Sequence, residues 1–140
     1  MEQYLTVNVV TPNGLVFDHH AEKVVAVTTN GELGILANHA PIIAPLDIEE
    51  VRVKRIDSEN HTNWVAVNGG VIEVRDNVVT IIADSAERAR DIDVTRAQRA
   101  KQRAEESIEK AKETTDVDEL RRAEVALHRA LNRINVSEHR

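Results

Sequence analysis

The sequence predicts an all-β sandwich or flattened barrel, followed by an antiparallel helical hairpin. Three observations carry that prediction. Short apolar runs recur at about ten-residue spacing with turn residues between them up to Ala83. Past that point the apolar period changes from two to between three and four. At the joint, Asp91-Ile92-Asp93-Val94-Thr95-Arg96-Ala97 places acids where a helix would begin and an arginine one turn on. Two units follow, a sandwich over 1–86 and a two-helix unit over 87–140.

Taken in order, Leu5-Thr6-Val7-Asn8-Val9 alternates as a strand with one buried face. Pro12-Asn13-Gly14 supplies a preset φ and then a residue tolerant of positive φ, hence a turn. Leu15-Val16-Phe17 and Val24-Val25-Ala26-Val27 are the next strands, separated by Asp18-His19-His20, and Asn30-Gly31 is a tight-hairpin signal. Val51-Arg52-Val53-Lys54 alternates until its phase breaks at Arg55-Ile56, a strand end or a bulge. Trp64-Val65-Ala66-Val67, Ile72-Glu73-Val74-Arg75 and Val78-Val79-Thr80-Ile81-Ile82 complete the set, with Asn68-Gly69-Gly70 and Asp76-Asn77 as turns.

Ala97, Ala100, Ala104, Ile108 and Ala111 then form one helical stripe, and Leu120, Ala123, Leu127, Ala130, Leu131 and Ile134 a second. Glu113-Thr114-Thr115 breaks between them, and Asp116-Val117-Asp118-Glu119 reads as an N-cap with an acid at the third helical position. Burying a Leu or Ile contributes about 1.5–3 kcal/mol and an Ala far less, while fixing the chain costs about 1–2 kcal/mol per residue. A hairpin lined mostly by alanine is therefore stable only when it leans on something. A lean on the β unit that competes with a lean on another protein is what a two-state element needs.

The bulk numbers bound the function. With 140 residues, no cysteine and only Tyr4, Phe17 and Trp64 as aromatics, the cores are built from Val, Ile, Leu and Ala, and the chain fits a reducing compartment. No apolar run is long enough to span a membrane, and Met1-Glu2-Gln3-Tyr4 lacks the features of a signal peptide. The net charge of −6 divides unevenly: residues 1–87 hold 5 basic and 13 acidic side chains, −8, and residues 88–140 hold 13 and 11, +2. Nucleic acid is a poor partner, because the first unit repels phosphate and the second interleaves its signs. No phosphate-cradling glycine loop, Ser-His-Asp set or Cys-His pair is legible. His19-His20 would point to opposite strand faces and make a poor metal pair. His39 reads as a loop residue, and His128 and His139 as surface.

Gly31-Glu32-Leu33-Gly34-Ile35-Leu36-Ala37-Asn38-His39-Ala40-Pro41-Ile42-Ile43-Ala44-Pro45-Leu46 closely resembles the hallmark segment of the epsilon subunits of rotary proton-translocating ATP synthases. Thr11-Pro12-Asn13-Gly14-Leu15-Val16-Phe17-Asp18 and Val67-Asn68-Gly69-Gly70-Val71-Ile72-Glu73-Val74 match the same family, as does the helical tail. Ala37 stands where many relatives have proline, and Asp47-Ile48-Glu49 lacks a glycine often found there. The resemblance implies an all-β sandwich of about ten strands followed by the helical hairpin, in a non-catalytic subunit at the foot of the central stalk, between the gamma subunit and the c-ring. It implies that the sandwich edge near Gly31, Glu32 and His39 faces the ring. It implies a hairpin that folds on the sandwich or extends along gamma toward the catalytic alpha and beta subunits, inhibiting hydrolysis in the extended form. A hairpin of net +2 suits an acidic contact better than the −8 sandwich does. The implied location is peripheral, at the cytoplasmic face of the bacterial plasma membrane, held there by the complex.

Members of that family often bind one ATP through a motif of the type Ile/Leu-Asp-x-x-Arg-Ala. Ile92-Asp93-Val94-Thr95-Arg96-Ala97 matches it, with Glu87 six residues before Asp93. By resemblance Glu87, Asp93 and Ala97 hold the adenosine end and arginines the phosphates, with ATP as a regulatory ligand and no required cofactor. Independently, a hairpin turning near Thr115 sets residue 96 opposite about 134, where Arg133 lies, and sets Arg129 opposite about 101, near Arg99 and Arg103. Like charges gathered so closely repel unless an anion joins them, and a triphosphate supplies several charge-assisted bonds. The plainer reading is that Asp91 or Asp93 caps a helix and the arginines form solvated pairs with Glu105, Glu106 and Glu124. A stand-alone ATP-sensing module is the alternative to a motor subunit.

Overall fold

The computed structural model describes residues 3–57 and 61–140, so Met1 and Glu2 of the N-terminal stretch lie outside the described residues. Seven strands run β1 (Leu5–Thr11), β2 (Gly14–Thr28), β3 (Gly31–Leu36), β4 (Ile42–Arg55), β5 (Thr62–Arg75), β6 (Val78–Ala83) and β7 (Ala86–Arg88). After a single 3-10 turn at Ala89–Asp91 come helices α1 (Val94–Thr114) and α2 (Val117–Ser137).

Seven strands do the work of the expected ten because β2, β4 and β5 are 14 or 15 residues long. Asp18-His19-His20 holds one turn-prone residue but no Gly or Pro, and β2 runs straight through it, pairing with β1 in its first half and with β3 and β4 in its second. Asn68-Gly69-Gly70 bends β5 without ending it. Gly70 adopts φ +134, and a Cβ there would stand 2.1 Å from the Ile82 carbonyl oxygen. Only glycine lets β5 pass so close to β6.

The order is β1-β6-β5-β4-β2-β3, with β7 added beside β5. Strand β1 is antiparallel to β2 and parallel to β6, which closes β1, β6, β5, β4 and β2 into a ring. The result is a flattened barrel whose two layers enclose the core. That core is Val, Ile, Leu and Ala, with Phe17 as its one aromatic side chain. The turns are chemically plain. Asp76 and Asn77 both take positive φ, as a two-residue hairpin loop requires. Thr29-Asn30 forms the tip after β2, one residue earlier than the Asn-Gly signal, with Gly31 opening β3 at φ +117. Strand β4 ends at Arg55, where the alternation breaks.

Each helix begins on an aspartate. Asp93 Oδ1 accepts from the Arg96 N–H at 3.1 Å, and Asp116 Oδ1 from the Glu119 N–H at 3.1 Å. Thr115, in the left-handed region at φ 53, ends α1 and turns the chain. Ala97, Ala104 and Ala111 face Ala123 and Ala130 inside the hairpin. The predicted stripe on α2 is partly wrong. Leu131 is 43% exposed, whereas Asn132 and Ser137 are buried. The sheet beneath α2 is polar at this point, and Asn132 Nδ2 donates to the Val67 carbonyl at 3.2 Å.

Helix α2 is the one that leans on the barrel, and α1 packs on α2. The apolar part of this seam is small: Val136 against Ala66, Ala89 and Ile92, with Trp64 beside them. Polar contacts supply the rest, including Asn135 to Glu50 at 3.4 Å and His128 to Glu49 at 3.8 Å. His139 stacks on Trp64 with ring centroids 3.6 Å apart and planes 6° from parallel.

Candidate functional site

Strand β7 and the first turn of α1 form one wall of a cleft, and α2 forms the other. Glu87, Asp93, Arg96, Ala97, Arg103 and Arg133 line it together, with Asp91 and Ala100, and its volume is about 410 Å³. A second cavity of about 560 Å³ runs on between the helices and shares Ala100, Arg103 and Arg133 with the first. Arg129 lines this second part, with Ser85, Ser107 and Arg122. Together they fall in the range of pockets that take ligands of nucleotide size.

The helices explain why these side chains meet. Asp93 fixes where α1 starts, so Arg96 lies in its first turn and Ala97 on the buried face. Thr115 sets the hairpin register, which brings Arg133 over Arg96, and Arg129 beside Arg103. Arg99 is exposed and lines neither cavity. Alanines at 97, 100, 104 and 123 leave the space between the axes that larger residues would fill.

Of the expected nucleotide residues, Ile92 stands apart. It is 3% exposed, packed in the seam with Val136, and lines neither cavity. Three others, Glu87, Asp93 and Arg133, already have partners within the protein. The Asp93 carboxylate caps α1, and Arg133 Nε donates to Glu87 Oε1 at 2.6 Å. The cleft is thus a mixed one, with arginines on both helices and carboxylates at its β7 end. Asp91, considered beforehand only as a cap, lines it too. Ser85 and Arg122 carried no signal in the sequence, because they join the cleft only through the fold.

The three residues expected on the stalk edge are not gathered in one place. Gly31 and Glu32 open β3, the terminal strand in the sheet order, and Glu32 pairs with Arg52 at 2.8 Å. His39 lies past the other end of β3, its Nδ1 2.6 Å from the Ala40 carbonyl. At about 3.4 Å per residue the strand sets the two ends roughly 17 Å apart.

Two family models match end to end. Residues 4–89 match the ATP synthase delta/epsilon chain β-sandwich domain, and residues 90–138 match the delta/epsilon chain long α-helix domain. The chain belongs to the ATP synthase delta/epsilon family. An ATP synthase epsilon chain of Latilactobacillus sakei subsp. sakei (strain 23K) is 57% identical over 138 residues, covering 99% of this chain and 95% of that one. Among solved structures, a chain of the Euglena gracilis mitochondrial ATP synthase (OSCP/F1/c-ring, rotational state 1) superposes with a TM-score of 0.79. It spans 99% of this chain and 84% of that chain at 18% identity, a likeness of fold. The delta/epsilon models divide between residues 89 and 90, whereas the sheet itself runs through Arg88 and the 3-10 turn through Asp91. Among the described residues, no helix is long and apolar enough to cross a membrane.

Proposed function

We propose that this chain is a non-catalytic central-stalk subunit of a rotary ATP synthase whose helical hairpin restrains ATP hydrolysis and is held in its docked form by ATP. The observation that carries the nucleotide part is the cleft itself. Arg96 and Arg103 on α1 and Arg133 on α2 come together with Glu87 and Asp93 only when the hairpin is closed and docked. A ligand bound there favours that form, because the extended form has no assembled site. The seam supports release: its apolar part is four small or medium side chains and one tryptophan, and the remainder is polar.

A row of apolar side chains across the outer surface of the barrel supports a stalk partner. Leu15 pairs with Val10, Val10 with Ile82, Ile82 with Val71 and Val71 with Pro45, so all five share one face. Leu15 stays 60%, Ile82 59% and Val71 40% exposed with the hairpin docked. Such a row marks an interaction surface, and the gamma subunit is its proposed occupant. The edge strand β3 is the proposed contact with the c-ring, and the extended, net-positive hairpin the contact with the catalytic alpha and beta subunits. The proposed location is peripheral, on the cytoplasmic face of the bacterial plasma membrane.

Calorimetric titration with ATP tests the site, with Arg96→Ala as the control: heat in the parent and at least roughly tenfold weaker binding in the variant are expected. No heat in the parent, or equal affinity in the variant, removes the site. For regulation, the chain is ended after Asp91, which keeps β7 in the sheet, and ATP hydrolysis by the whole complex is measured. Activity rises if the hairpin inhibits, and unchanged activity leaves it a passive spacer.

A further inference from the structure

Neighbouring residues of a strand point to opposite faces. Glu87 of β7 lines the nucleotide cleft, and Arg88, next to it, lines a different cavity of about 230 Å³. Arg55, Arg90 and Arg140 converge on the same cavity, with Asn63, Trp64 and His139. Three of the arginines have partners, Arg90 the loosest, with Asp91 3.9 Å from its Nε. Arg55 holds Asp57 at 2.6 Å, and the Arg140 guanidinium donates to the Ile92 carbonyl at 2.5 Å. Arg88 is different. It is only 9% exposed, sits 5.2 Å over the Phe17 ring, and among the described residues has no carboxylate in ion-pair range. Among the described residues its Nε has no hydrogen-bond partner, and neither does Asn63 Oδ1. A buried cation without an anion and a buried acceptor without a donor are both costly. The surrounding field is positive: burial, then the charges of Arg55 and Arg88, hold the nearby His19 below its ordinary value against Asp57 and Asp18.

We propose that this cavity binds inorganic phosphate, independently of the nucleotide cleft. The Arg88 and Arg90 guanidinium groups, which line the cavity, would take the phosphate oxygens. The volume lies below the roughly 300–1,000 Å³ of pockets for larger ligands, which excludes a whole nucleotide. The walls come from both units: Asn63, Trp64, Arg88 and Arg90 from the barrel and the turn after it, and His139 and Arg140 from the chain beyond α2. An ion bound between them bridges barrel and hairpin, so phosphate favours the docked form.

The chain has a single tryptophan, whose indole N–H gives one resonance in a proton–nitrogen correlation spectrum, stacked on His139 at the cavity. Titrating the full chain with sodium phosphate should shift that resonance saturably, and chloride at matched ionic strength should not. The phosphate titration should survive Arg103→Ala in the nucleotide cleft, vanish in Arg88→Gln, and weaken about tenfold in Arg90→Gln. Arg90 is 68% exposed, so that variant keeps the fold if Arg88→Gln does not. The proposal is overturned by a non-saturable shift, or by chloride at matched ionic strength giving the same shift. An unchanged titration in Arg90→Gln also overturns it.

Discussion

Arg133 on α2 donates from Nε to Oε1 of Glu87 on β7 at 2.6 Å, tying the hairpin to the last strand of the barrel. The two side chains are 27% and 37% exposed, so the pair is worth about 0.5–1 kcal/mol of docking after solvent screening. It also sets up a competition, since a triphosphate in the cleft would draw on the same guanidinium. A double-mutant cycle with Arg133→Ala and Glu87→Ala, read from thermal melts, should give a coupling of about that size without nucleotide. With saturating ATP the coupling should fall toward zero. A coupling that ATP leaves unchanged places the phosphates away from Arg133.

Asp93 caps α1 in the structure, and the proposed function gives it a second role to separate from the first. As a helix cap, its Oδ1 accepts from the Arg96 N–H, and Asn caps as well as Asp does. As a ligand for the adenosine end, it needs the carboxylate. Asp93→Ala should cost the hairpin about 1 kcal/mol. Asp93→Asn should leave the melt within about 0.5 kcal/mol yet weaken ATP roughly tenfold. Equal ATP affinity in Asp93→Asn and the parent would reduce this residue to a cap.

What the sequence made legible was the local chemistry. Pro12-Asn13, Asp76-Asn77, Asp93, Thr115 and Asp116 all announce their turns and caps through side chains that act on their own backbone. The pairing of Arg133 with Arg96 could be counted from the turn, because an antiparallel hairpin is a one-dimensional object. Long-range geometry stayed hidden. Nothing near Asp18-His19-His20 says that β2 will serve both layers, since the pairing partners are set by distant strands. Asn132 breaks the apolar stripe because the barrel offers the Val67 carbonyl there. The Trp64–His139 stack joins residues far apart in the chain, and neither one carries a local signal for it.

Two glycines should respond in opposite ways to alanine. At Gly70, φ is +134 and a Cβ would meet the Ile82 carbonyl oxygen at 2.1 Å and the Ala83 Cα at 2.8 Å. Backbone strain and a clash with backbone add, so Gly70→Ala should cost at least about 2–3 kcal/mol. Gly34 lies exposed on β3, with only the Lys23 Cε at 4.0 Å from its Cβ position. Gly34→Ala restricts the unfolded chain without meeting anything, and should stabilise by about 0.4–1 kcal/mol. Thermal denaturation of both variants checks this, and a tolerated Gly70→Ala would mean that β5 and β6 part more easily than their register implies.

Glu49, on β4 beneath α2, is a cost that docking accepts. Burial, then the Glu50 charge and a hydrogen bond with Glu50, hold its carboxyl above the ordinary value; Asp47 adds to the rise and His128 opposes it. A carboxyl raised in the folded state favours folding only while it is protonated. The resulting penalty is absent below the ordinary pKa, grows as pH climbs through the raised one, and is complete above it. Glu49→Gln removes that penalty but also the 3.8 Å approach of His128. With the Glu49 side chain 38% exposed, the net gain at neutral pH should be under about 1 kcal/mol. Melting temperatures of parent and variant should therefore separate at pH 7, with the variant higher, and converge toward about pH 4. A difference of constant size across that range would mean that Glu49 acts through packing and not through its charge.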